Sequence, residues 1–148
     1  MNAILLAALL ALIPGERLEY DVRLGPLGLG TLVLAVLELD TAGADTCARF
    51  RADLDLRLGF LFRGRYRLDS WSRDSDLVTL RSAKDTRETR YRATWTCDYD
   101  YDAGFACYSD GDSFALPGPA HALLTLWYLF RARRLEPGLR FAADRLRE

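Results

Sequence analysis

His121 is the only histidine of the chain and its natural general base, so its setting decides whether it could act as one. It follows Pro119 at the opening of an apolar segment, and no Ser or Cys stands in a recognisable nucleophile pattern such as G-x-S-x-G. An enzyme built on His121 is therefore the weakest of the functional readings, and no catalytic residue is assigned. Asp98, Asp100 and Asp102, with Gly104 close behind, have part of the spacing of a calcium loop. The residue after Asp102 is Ala103 instead of Gly, and the twelfth position is Ser109. Alternate side chains of a strand project in parallel, so the three carboxylates read as a solvated face. Gly25, Gly28 and Gly30 lead into a strand, with no helix N-terminus to hold a phosphate, and read as turn chemistry. No metal or cofactor is expected.

Three cysteines remain, Cys47, Cys97 and Cys107. They contain no C-x-x-C pair, and with one histidine their spacing fits no zinc site. Cys97 and Cys107 lie symmetrically about Asp102, where Asp102-Ala103-Gly104 reads as a hairpin turn. That symmetry would put both on the apolar face with Trp95 and Phe105. In an oxidising compartment they could form a cross-strand disulfide; otherwise they are two buried thiols.

The elements that must position these residues are written in the alternation of charged and apolar side chains. Arg17, Glu19, Asp21 and Arg23 interleave with Leu18, Tyr20, Val22 and Leu24. Arg49, Arg51, Asp53, Asp55 and Arg57 interleave with Phe50, Ala52, Leu54, Leu56 and Leu58. Tyr91, Ala93, Trp95, Cys97, Tyr99 and Tyr101 form a third such series. Period two means strands with one wet and one dry face, and a sheet wetted on one side is typically antiparallel. Strands are expected over 16–24, 30–40, 46–60, 65–72, 77–83, 88–101 and 104–109, with a bulge near Asp69-Ser70 to explain the phase of Trp71. The run Leu32 to Leu37 is apolar on both faces, as a strand covered on both sides would be.

After Pro117-Gly118-Pro119 the period changes, and a helix is expected over 120–133. Leu123, Leu124, Leu126, Trp127, Leu129 and Phe130 cover most of its circumference, which predicts an enclosed helix. The fold class expected is mainly β: a curved antiparallel sheet, like half a barrel, wrapping one apolar C-terminal helix. Tyr20, Tyr91, Trp95 and Tyr99 on dry strand faces, with Trp127 and Phe130 on the helix, would fill the core or line an apolar pocket for a lipid-like ligand.

At 148 residues the chain is one domain by length, expected over 15–148. A net charge of -1 with 28% charged residues leaves no concentrated basic patch of the kind nucleic acid requires. Residues 3–13 form an unbroken apolar run, too short to span a bilayer as a helix. It fits the core of a secretory signal peptide over 1–14, although Met1-Asn2 carries no positive charge; a buried N-terminal helix is the other reading.

Gly15-Glu16-Arg17-Leu18-Glu19-Tyr20-Asp21-Val22, followed by Gly28-x-Gly30, resembles the opening of a bacterial exported-protein family filed as domain of unknown function 3108. Residues 124–131 (Leu-Thr-Leu-Trp-Tyr-Leu-Phe-Arg), then Leu135-Glu136-Pro137-Gly138, are similar to its later signature, a Ser-x-x-Tyr-x-x-Arg helix before a glycine turn. Thr125, Tyr128, Arg131 and Gly138 are the matching positions, while Ala122 stands where the family has Asp. The resemblance implies export to the periplasm or cell envelope and no established activity. It also implies a version without the family's C-terminal strands, since the sequence ends at Glu148.

The functional expectation is a non-enzymatic envelope protein that binds an apolar or lipid-like ligand, or a lipidated protein, in its curved sheet. The alternative is a structural or interaction module with an open sheet edge that takes a partner strand or forms a homodimer.

Overall fold

A computed structural model of the chain describes residues 13–37, 40–42 and 45–132. Among the described residues nine strands form one antiparallel sheet: β1 (Arg17–Leu24), β2 (Leu27–Val36), β3 (Asp40–Ala42), β4 (Asp45–Leu58), β5 (Phe62–Arg73), β6 (Thr79–Glu88), β7 (Arg92–Asp100), β8 (Phe105–Tyr108) and β9 (Ser113–Ala115). The order runs β1-β2-β4-β5-β6-β7-β8-β9, and β3 pairs with the start of β4. The sheet is curved and does not close on itself. The helix α1 (Leu123–Ala132) packs over β4 and β5. The mainly β fold with a late helix is as the alternation predicted. Residues 3–12 of the apolar run and the glycine turn at 138 lie outside the described residues.

The two faces of the sheet divide along the period-two pattern. Val36 pairs with Phe50, Leu34 with Ala52 and Leu32 with Leu54, so these side chains share the helix side. Leu34, Val36, Ala48, Phe50, Ala52 and Leu77 are buried there with Leu124 and Tyr128 of α1. Burying an aliphatic or aromatic side chain of this size contributes about 1.5–3 kcal/mol. On the opposite face, opposite charges meet across strands. Arg51 faces Asp69 at 2.9 Å, Asp53 faces Arg67 at 2.7 Å, and Arg81 reaches Asp98 at 3.5 Å. Asp69 is nearly buried, and Arg49 also reaches it at 3.1 Å, so its charge is compensated twice. Arg49 and Arg81 lie over the ring of Trp71 at 4.6 and 5.7 Å.

Gly30 faces Leu56 where β2 passes close to β4. A Cβ at Gly30 would fall 1.8 Å from the backbone oxygen of Asp55, so no side chain fits at this approach.

Several boundaries differ from the expectation. The stretch Lys84 to Thr86, expected as a polar loop, continues β6, which runs to Glu88. Its side chains are polar on both faces, which hides the alternation, and pairing with β5 holds it extended. Trp71 needs no slip at Asp69-Ser70: it lies on the charged face, Ser70 and Ser72 lie on the buried one, and the irregularity falls between Trp71 and Ser72. The helix begins at Leu123, because residues 120–122 bond to β6 first. The Thr79 amide donates to the Ala120 carbonyl at 2.9 Å, and the Ala122 amide donates to the Thr79 hydroxyl at 2.9 Å. Nor is the helix enclosed: Leu124, Thr125 and Tyr128 are buried, whereas Leu123 and Trp127 are more than 40% exposed.

Thr125, set among the apolar residues of the first turns, docks α1 on the sheet. Its Oγ1 lies 2.6 Å from Ser70 Oγ, 2.9 Å from Ser72 Oγ and 3.2 Å from Thr79 Oγ1, which donates to it. One donor and two acceptor sites are thereby filled, in a cluster at most 1% exposed. Thr125→Val keeps the shape and strips the three partners of their common bond. It is expected to cost about 2–3 kcal/mol, read as a lowered urea midpoint with an unchanged slope.

Candidate functional site

The groove beside α1 follows from how the helix is fixed. Leu124 and Tyr128 are four residues apart and share one helix face, which is turned to the sheet. The Tyr128 ring stacks on Phe50 with centroids 4.4 Å apart and planes at 26°. This contact and the Thr125 cluster hold α1 over β4 and β5. The dry faces of β1 and β2 are left facing the flank of the helix across a gap. Leu18, Tyr20, Leu32, Leu34, Trp127, Tyr128 and Arg131 line that gap, which has a volume of about 300 Å³. Tyr20 and Trp127 are almost half exposed, so the cleft opens to solvent between two aromatic rings.

Two polar groups mark the cleft. The Tyr128 hydroxyl is buried and has no hydrogen-bond partner among the described residues. Burial pushes its pKa up to about 12, with the charge of Glu16 adding and that of Arg131 opposing. It is therefore a neutral donor at physiological pH. Arg131 is clamped by Glu16 from the approach to β1: Nη1 donates to Oε2 at 2.8 Å, and Nη2 donates to Oε1.

The aromatic residues expected to line one pocket separate into two groups. Tyr20 and Trp127 line the cleft. Trp95 and Tyr99 do not; they belong to a second cluster on the dry face of β7, β8 and β9. Trp95 meets Tyr108 edge-on at 5.4 Å, Tyr99 meets Phe114 at 6.5 Å, and Tyr108 meets Phe114 at 5.7 Å. Tyr91 stands in the β6–β7 connection and is 56% exposed. Phe130 is half-buried on α1 and is not part of the cleft lining. Leu18, Leu32, Leu34 and Tyr128 complete the cleft. The alternation gives Leu18 a dry face, Leu32 and Leu34 lie in a run apolar on both faces, and nothing local shows that the helix stops short of β1.

The chemically suggestive residues fall elsewhere. His121 Nδ1 donates to the Leu77 carbonyl at 2.8 Å and so braces a buried leucine held at φ 59°, a conformation disfavoured for its side chain. Asp98 pairs with Arg81, while Asp100 accepts from the amides of Asp102 and Ala103 at 3.1 and 2.9 Å and closes the turn. Among the described residues no three potential ligands converge on a metal position.

Of the two readings left open for Cys97 and Cys107, the disulfide is not formed, and both side chains are thiols. Cys97 faces Tyr108 across the ladder, and Cys107 faces Asp98. The connection is one residue longer than the symmetric turn requires, and a one-residue shift sends Cys107 and Phe105 to the outer face. Burial pushes the Cys97 thiol up to about 11. A thiol reagent is expected to modify Cys107 in the folded protein, and Cys47 and Cys97 only after unfolding; mass spectrometry of the adducts checks this.

The hydrogen bond from Arg131 holds the Glu16 carboxyl below its ordinary 4.5, with the attraction of the charges adding and burial opposing. A lowered folded-state pKa contributes stability above the ordinary value, which is lost as pH falls through the lowered one. Glu16→Gln should therefore cost about 0.5–1 kcal/mol at neutral pH and nothing in strong acid, as read from urea midpoints across pH.

Compared with known protein families, curated proteins and solved structures, the chain gives no match.

Proposed function

We propose that this chain is a non-enzymatic, exported protein of the bacterial envelope that holds an apolar or lipid-like ligand between its sheet and helix. The observation that carries the reading is the cleft of about 300 Å³, walled by Leu18, Leu32 and Leu34 and gated by Tyr20 and Trp127. Its volume is at the lower end for small-molecule sites, which favours a single acyl chain over a bulky ligand. Arg131 brings a cation to the wall, and the ring of Tyr128 lies beside it. A fatty acyl chain with an oxygen-bearing head, free or attached to a protein, has the complementary chemistry.

Two further facts support the reading. His121 is engaged with Leu77, and the buried hydroxyls of Ser70, Ser72 and Thr125 are engaged with one another, so the groups with catalytic potential have structural occupations. Placement in the envelope rests on the resemblance to domain of unknown function 3108. Glu16 of its opening segment clamps Arg131 of its later signature, and Thr125 and Tyr128 of that signature dock the helix. Among the described residues no helix is long and apolar enough to cross a membrane.

A fluorescent fatty-acid analogue is expected to bind the purified protein and to be displaced by unlabelled fatty acid. Leu32→Trp fills the cleft and should abolish binding. Absence of binding to the unaltered protein, or full binding by Leu32→Trp, would sink the proposal.

A further inference from the structure

Three hairpins end on the same side of the sheet. Gly30 pairs with Leu56, Gly64 with Glu88 and Arg87 with Arg92, so the β1–β2, β4–β5 and β6–β7 connections all project from one end. That end collects exposed apolar side chains. Phe60 is 96% exposed and Leu61 70% on the β4–β5 tip, Leu24 69% and Leu27 50% on the β1–β2 tip, and Tyr91 56% on the third. Scattered surface leucines are ordinary, but large apolar side chains gathered on three neighbouring turns mark an interaction site.

The same end breaks the charge alternation of the outer face. Farther along the sheet, arginines face aspartates. Here Arg57 faces Arg63, Arg65 faces Arg87, and Arg87 faces Arg92. Like charges directly opposite one another destabilise a sheet. Arg57 and Arg65 share Asp55, each at 3.4 Å, and Arg87 takes Asp85 at 2.9 Å. Among the described residues no carboxylate forms an ion pair with Arg63, Arg90 or Arg92. Glu88 looks to the other face, where its carboxylate accepts from the Tyr66 hydroxyl at 2.7 Å. Arg65, Arg67, Asp85 and Arg87 frame a shallow hollow of about 110 Å³ beside the tips. The end of the sheet thus joins protruding apolar groups to a collar of arginines that outnumber the carboxylates beside them.

We infer that this end docks onto an anionic phospholipid bilayer. Phe60, Leu61 and Tyr91 enter the boundary between headgroups and acyl chains, and the arginines hold lipid phosphates. Apolar groups backed by basic residues are the arrangement that binds a membrane surface without spanning it. A soluble anion would satisfy the arginines but would leave the tips in water, and a neutral bilayer would take the tips but offer no net charge to the collar. The inference is independent of the cleft, because it needs no ligand there.

Vesicle flotation with the full chain tests it. Binding is expected to vesicles of mixed phosphatidylcholine and phosphatidylglycerol, to weaken with added salt, and to be absent with phosphatidylcholine alone. Phe60→Ser combined with Leu61→Ser should abolish binding, and because these side chains are exposed the urea midpoint should not move. Arg63→Glu combined with Arg92→Glu should weaken binding by at least about tenfold. The apolar run at residues 3–13 could itself reach a membrane, so binding by the tip variant and the arginine variant equal to that of the unaltered chain would overturn the inference. It would fall equally if the phosphatidylglycerol vesicles were not bound, or if inorganic phosphate competed fully, which would reveal a simple anion site. Dimerisation lost in the Phe60/Leu61 variant would give the tips to a second copy of the chain instead.

Discussion

The structure depends on how a short helix is held against a sheet that curves but does not close. Apolar contact alone would press α1 onto β4 and β5 without fixing where it lies, because dispersion and burial have little direction. Thr125 supplies direction. Its hydroxyl meets Ser70, Ser72 and Thr79 in a dry setting, where an unmade bond is costly and a made one is specific. Thr79 also receives the Ala122 amide, so it ties the start of the helix to β6. Tyr128 stacks on Phe50 one turn later, and Arg131 reaches Glu16 at the approach to β1. These attachments lie on successive turns and set both the position and the tilt of the helix.

The cleft is a consequence of that placement. With α1 committed to the middle strands, the leucines of β1 and β2 lack a complete cover. A wider helix or a further one would bury them; in their place a tyrosine and a tryptophan stand half in solvent. The same economy shapes the outer face. Charges are matched across neighbouring strands through most of its length, and the matching fails where the hairpin tips also carry exposed apolar groups. Two different departures from ordinary surface chemistry coincide there, which is why that end carries an inference and the remainder of the charged face does not.

Much of this architecture was legible in the order of residues. Arg49 to Leu58 alternates without fault and became half of the longest ladder. Lys84 to Thr86 does not show as strand in the sequence, because Lys84 and Thr86 are polar where the dry face falls, so period two has no contrast to detect. Ser70, Ser72 and Thr79 gave no local signal at all, since their importance comes from Thr125, 46 to 55 residues away. The cysteines show how sharp the limit is. Asp102 looked like a centre of symmetry, yet the ladder turns about a point half a residue later, and that half-step inverts one side chain of the pair. Tyr20 and Trp127 were recognised as candidate lining residues, but the absence of Trp95 and Tyr99 from the cleft depends on the breadth of the sheet, which residue types do not encode.

A helix pinned by hydroxyls behaves as the fixed jaw of a calliper. The gap between Trp127 and Tyr20 cannot widen by letting the helix glide, since any glide would break the bonds at Thr125 before it gained room. The width of the opening is therefore set in the folded chain, and what enters must conform to it. Discrimination by girth would then need no moving part, only the stubbornness of a few buried oxygens.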